Sequence, residues 1–84
     1  MSLAIARSAS QVGRLVQRFR QERGLTQMEL AQLAGQRQEM ISKIETGQGG
    51  VKLATLFDVL AALGLEMTLA PRSQSSAADI EDIF

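Results

Sequence analysis

The side chains in this 84-residue chain that could do chemistry are hydrogen-bonding groups and point charges. The chain has no cysteine and no histidine, which excludes disulfides, thiolate metal sites and the commonest general base and metal ligand. Asp58 and Glu66 have no basic or carboxylate partner at a spacing that would make an acid–base pair. Gly47-Gln-Gly-Gly50 is rich in glycine but lacks the lysine and hydroxyl residue of a phosphate-binding loop, and it follows a helical pattern instead of a strand. Neither an enzyme nor a cofactor site is expected. What remains is recognition. Nine basic and nine acidic groups cancel overall, but residues 1–72 carry a balance of +3 and residues 73–84 one of −3. A basic body points to an anionic partner, and the acidic tail to a separate role. Arg14, Arg18 and Arg23 read as solvated arginines on the open face of a helix.

No apolar run approaches the ~18 residues of a membrane span. The start, Met1 to Arg7, has its charge after an apolar stretch too short for a signal peptide. A cytoplasmic protein with no membrane partner is expected. At 9.1 kDa the chain is one small domain, and such a chain buries only roughly 60–65% of its unfolded surface. Association with a second copy would relieve that shortage.

The glycines punctuate the chain into short helices. Residues 8–23 carry Val12, Leu15, Val16 and Phe19 on one helical face, with Ser8 and Gln11 spaced as a capping box and Gly24 as the stop. Thr26 and Glu29 form a second capping box ahead of a helix that Gly35 ends. A third helix over about 37–46 turns Met40, Ile41 and Ile44 inward and stops at Gly47. The fourth, about 53–63, is expected to bury Leu53, Leu56, Phe57, Leu60 and Leu63 before Gly64. The pattern then changes: Leu65-Glu-Met67-Thr-Leu69-Ala alternates as a half-buried strand. One strand cannot satisfy its own backbone, and no second candidate exists in the sequence. Pairing with the same strand of a second copy, across a two-fold axis, is the simplest solution. Leu65, Met67 and Leu69 are the expected dimer strand. The expected fold is therefore all-α, four helices including a helix-turn-helix, with one C-terminal β-strand paired across a homodimer. Residues 1–70 form the domain, and 71–84 a flexible acidic tail.

Two short helices joined through Gly35 make the helix-turn-helix pattern, whose second helix enters the major groove of DNA. Leu25-Thr-Gln27-Met-Glu-Leu30-Ala31-Gln-Leu33-Ala-Gly35, followed by Ile41-Ser-Lys-Ile44-Glu45-Thr-Gly47, closely resembles the Cro/cI-type (XRE) helix-turn-helix family over residues 10–64. The resemblance implies that Gln27 grips a phosphate from a helix N-terminus. It also implies that Arg37, Gln38, Glu39, Ser42 and Lys43 occupy the base-reading positions. The chemistry suits that role, since Arg or Lys pairs with guanine, Gln with adenine and Glu with cytosine. Lys52 lies in a loop that follows the DNA backbone in similar proteins. Arg20 and Glu45 match a family salt bridge. Arg37 departs from the pattern, standing where the family has Ser or Thr, so the third helix lacks a good N-cap.

Most members of that family continue with another helix where this chain has the Leu65–Leu69 strand. In this respect the chain resembles HipB-type antitoxins. That resemblance implies a dimer joined by an intersubunit β-ribbon, repression of its own operon at a palindromic operator, and neutralisation of a HipA-type serine/threonine kinase toxin. The solitary phage-type or metabolic repressor of the same family is the alternative. Ile80, Ile83 and Phe84, the apolar residues of the acidic tail, are candidates for docking to the partner or for feeding degradation.

Overall fold

The computed structural model describes residues 4–72. Within them the chain forms α1 (Ala9–Glu22), α2 (Gln27–Ala34), α3 (Gln38–Glu45) and α4 (Leu53–Ala62). The helix starts follow from their caps. Ser8 Oγ accepts from the Gln11 amide at 3.1 Å, while the Gln11 side chain reaches one residue further back, to the amide of Arg7. Thr26 and Glu29 complete a reciprocal box, with Glu29 N donating to Thr26 Oγ1 at 3.0 Å and Thr26 N to Glu29 Oε1 at 2.8 Å. α3 and α4 begin at Arg37 and Lys52 with no side-chain cap.

All four helices end in the same way. A glycine (Gly24, Gly35, Gly47 or Gly64) takes the left-handed conformation, and the following amide reaches back five residues, as Gly47 allows for Gln48 N to Lys43 O at 3.1 Å. This is the Schellman motif, which satisfies the last free carbonyls and turns the chain sharply.

Val16, Leu30, Ala31, Ile41, Ile44, Val59 and Leu63 form the core, where α3 packs on α1 and α2, and α4 on α2. Met40, Leu25, Val12 and Phe19 pack around it, half-buried. α4 departs from expectation. Val59 is fully buried, whereas Leu53 and Phe57 are 60% and 46% exposed. Leu-Ala-Thr-Leu-Phe-Asp-Val-Leu-Ala-Ala is apolar almost all round, so its periodicity does not single out a face. The face used is the one completed by Val59 and Leu63 one turn apart.

Residues 65–70 do not form a strand in the single chain. Leu65 packs on the core, but Met67 is exposed and Leu69 is 94% exposed. A ladder needs a partner strand, and the described residues hold none. The tail residues Ile80, Ile83 and Phe84 lie outside the described residues.

The α1–α3 crossing is closed by Gly13. A Cβ at this position would lie 2.7 Å from the Glu45 carbonyl oxygen and closer still to that of Ile44. Both neighbours are backbone and cannot rotate away. Gly13→Ala should therefore lower stability by about 1–3 kcal/mol, read as a fall in Tm of several degrees on thermal unfolding.

The capping box gives a second prediction. Hydrogen bonds from the Thr26 backbone and side chain hold the exposed Glu29 carboxyl below its ordinary value. A pKa depressed by folding adds stability that is present above the unfolded pKa and lost as pH falls through the folded one. Glu29→Gln should be less stable than wild type at neutral pH. The gap should close as thermal melts are repeated down through the acidic carboxylate range.

Candidate nucleic-acid interface

The interface is built on a buried ion pair. Arg20, in the last turn of α1, donates from Nε to Glu45 Oε2 at 2.6 Å and from Nη2 to Glu45 Oε1 at 3.1 Å. Its Nη1 donates to the Leu25 carbonyl at 2.8 Å. The side chains are 11% and 3% exposed. The fork-on-carboxylate geometry is the strong form of this pair, and the hydrogen bond to Glu45 raises the guanidinium pKa above its ordinary value, against a smaller lowering by burial. Glu45 Oε1 also accepts from Gln27 Nε2 at 3.1 Å. The first residue of α2 is thereby hung from the last residue of α3.

Around this anchor the structure brings Gln27, Gln38, Glu39, Ser42 and Lys43 into one polar groove, together with Gln48. Gln38 and Glu39 are exposed on the first turn of α3, and Ser42 and Lys43 are half-buried one turn later. Lys43 Nζ reaches over the glycine loop, 4.0 Å from where a Gly50 Cβ would lie. Arg37 is exposed at the uncapped start of α3, and Lys52 is exposed at the start of α4. Neither lines the groove.

Arg18, in α1, and Arg23, its C-cap, are occupied near their own helix. Arg18 pairs with Glu22 at 3.8 Å, and Arg23 Nη1 donates to the Phe19 carbonyl at 3.1 Å. Both guanidiniums lie over the Phe19 ring, at 5.1 and 5.4 Å, within cation–π range. Gln48 is the groove residue that helical periodicity did not reach, because it lies beyond the end of α3.

The groove offers amide, hydroxyl, carboxylate and ammonium groups side by side, the set that matches the edges of bases and the phosphates flanking them. Among the described residues no group of acidic or other metal-ligating side chains could hold a metal ion, and no helix is long and apolar enough to cross a membrane.

Fold and groove together define a helix-turn-helix domain. The helix-turn-helix (HTH_3) profile matches residues 16–69, and the chain belongs to this family, in its XRE-type, HipB-like branch. It is a family of DNA-binding regulators, not of enzymes. The chain is 35% identical to antitoxin HipB of Escherichia coli O6:H1 (strain CFT073), over 99% of its own length and 90% of the relative's. Among solved structures it is similar to HipB in a complex with an O2 20mer, with a TM-score of 0.79 and 35% identity over 86% of this chain and 100% of that one. It is also similar to a chain of a HipA–HipB–O2–O3 complex, with a TM-score of 0.77 and 34% identity over 84% and 100%.

Arg20→Ala would leave the Glu45 carboxylate buried with no cation beside it. Loss of one partner from such a pair costs about 3–5 kcal/mol, to be measured as a lower urea midpoint at an unchanged slope. Arg20→Lys should recover only part of that loss, since an ammonium cannot bridge both Glu45 oxygens and the Leu25 carbonyl as the planar guanidinium does.

Proposed function

We propose that this protein is a sequence-specific transcriptional repressor and the antitoxin of a HipA-type serine/threonine kinase, binding a palindromic operator as a homodimer and neutralising the kinase. The observation that carries the DNA-binding reading is the groove in which Gln27, Gln38, Glu39, Ser42 and Lys43 converge. Gln38, Glu39, Ser42 and Lys43, with Arg37 at the start of α3, read base edges, while Gln27 and Lys52 hold phosphates. The kinase partner is supported by likeness over nearly the full length to HipB, including the HipB chain solved with HipA.

The homodimer is supported by apolar surface that one copy leaves in water. Met67 and Leu69 pair with their counterparts as a two-stranded ribbon, and Leu53 and Phe57 on the outer face of α4 add apolar area to the contact. The two-fold axis presents two copies of α3 to successive major grooves, which makes the operator a pseudo-palindrome. Ile80, Ile83 and Phe84 in the acidic tail engage the kinase or feed degradation.

A fluorescence-anisotropy titration tests this reading. The probe is the DNA upstream of the protein's own gene, competed with scrambled duplex at near-physiological salt. A preference of about a thousandfold is expected, with two chains bound per half-site pair. Gln38→Ala should relax base preference, and Gln27→Ala should weaken all sequences alike. Equal, weak binding of both duplexes by the wild type would sink the repressor assignment.

A further inference from the structure

We propose that residues 79–84, Asp-Ile-Glu-Asp-Ile-Phe, dock on the body of their own chain, in an apolar cleft beside the recognition groove, and thereby compete with DNA. The segment itself lies outside the described residues. The inference deepens the DNA-binding reading above and rests on it for its functional consequence. Val12, Ile44, Val51, Leu53 and Leu56 line the cleft, where the start of α1, the end of α3 and the start of α4 meet the glycine loop. Its volume is about 210 Å³. An apolar cavity of roughly 150 Å³ holds benzene, so one aromatic ring or branched side chain fits here.

Gln48 lines both this cleft and the polar groove, so the two are neighbours across the glycine loop. Cations stand at that border. Lys43 Nζ lies 4.0 Å from where a Gly50 Cβ would be, and Gly50 lines the cleft. Exposed Lys52 stands between two cleft residues, Val51 and Leu53. Among the described residues neither lysine has an ion-pair partner. An apolar cleft bordered by two unpaired ammonium groups suits a ligand that interleaves apolar side chains with carboxylates. Residues 79–84 are such a segment: Ile80, Ile83 and Phe84 alternate with Asp79, Glu81 and Asp82.

Reach is no obstacle. The cleft adjoins the start of α4, and the chain leaves from the other end of that helix. Ten residues of α4 span about 15 Å, whereas the twelve residues beyond Arg72 extend as far as about 40 Å. Tethering also lowers the affinity required. A segment on a short linker acts at an effective concentration in the millimolar range, so a contact of about 0.1–1 mM fills the cleft for roughly half to nine-tenths of the time. Lys43 and Lys52 cannot serve these carboxylates and DNA together. Affinity for DNA then falls in proportion to the fraction left open, about two- to tenfold.

The test uses the full chain. Because it has no cysteine, S76C accepts a single nitroxide, and paramagnetic broadening of backbone amide signals shows where the segment lies. Broadening is expected at Val12, Val51 and Lys52, and its loss in I80S/I83S/F84S. That variant keeps all three acids, yet in the anisotropy titration it should bind upstream and scrambled duplex about two- to tenfold more tightly than wild type, as should D79N/E81Q/D82N. Tighter binding from the charge variant alone would reduce the segment to plain repulsion of DNA and overturn the docking. Absence of broadening on the body would overturn it directly. Broadening of an isotope-enriched chain by the nitroxide of a second copy, in mixed samples, would place the segment on its neighbour and overturn the intramolecular assignment. Broadening as expected in a wild type that shows no preference for its upstream DNA would support the docking and mark failure of the repressor reading instead.

Discussion

The carboxylate of Glu45 is the point at which the elements that carry the groove are tied together. Its two oxygens take the fork of Arg20 and the amide of Gln27, and Arg20 uses its remaining direction on the Leu25 carbonyl. One ion pair therefore ties together the end of α1, the turn into α2, the first residue of α2 and the last of α3. Among the described residues no buried side-chain nitrogen or oxygen lacks a partner, so both charges of the pair are met by hydrogen bonds where they leave water. Apolar residues of similar volume could match such a pair in stability. They could not hold Gln27, because an aliphatic side chain at position 45 would offer its amide no acceptor. The geometric consequence of the pair is larger than its energetic one.

The same economy governs the helix crossings. α3 can lie across α1 only because Gly13 has no side chain, and its carbonyl ends at Ile44 and Glu45 rest where a methyl would be. Ala31, buried at the centre of α2, contributes to the core as a small residue, and Gln36 in the following turn donates to Asp58 on α4 at 3.2 Å. α3 is thus clamped at its C-terminal end by Glu45, the Schellman turn and Gly13. Its N-terminal end, at Arg37, has no side-chain cap. The helix is held most firmly where it joins the body and least at Gln38 and Glu39, which on the proposed reading leaves its first turn free to adjust to a base edge.

What could be read in the sequence divides along the range of the interactions. Helix starts at Ser8 and Thr26 and stops at Gly24, Gly35, Gly47 and Gly64 were legible because each is settled within five residues of chain. Gln27, Gln38, Glu39, Ser42 and Lys43 were legible as a set through the family pattern, and the fold assembles them in one groove. The buried face of α4 was not legible, since a helix apolar on nearly every side has no periodicity to interpret. Gly13 gave no signal because its neighbours are carbonyls 31 and 32 residues away. Gln48 escaped because a Schellman turn, not a helical repeat, returns it to the groove. Residues 65–70 alternate like a strand, yet they form none and find no ladder among the described residues, because strand pairing depends on a partner that a local pattern cannot supply.

Charge shows why a second copy matters on the proposed reading. The body carries a balance of only +3, and α1's Arg18 and Arg23 are engaged with Glu22, Phe19 and their own backbone. Counterion release, which supplies most of the affinity of strongly basic DNA-binding proteins, is therefore limited for one copy. The groove relies instead on directional donors and acceptors, which are worth most when their positions are set before binding. A single groove of this kind gives selectivity with little strength. Joining two through a rigid two-fold contact makes the second docking intramolecular and multiplies affinity without adding charge. On the proposed reading, the exposed apolar residues Leu53, Phe57, Met67 and Leu69 and the weakly basic groove are two sides of one constraint: a domain that reads DNA by geometry binds tightly only as a pair.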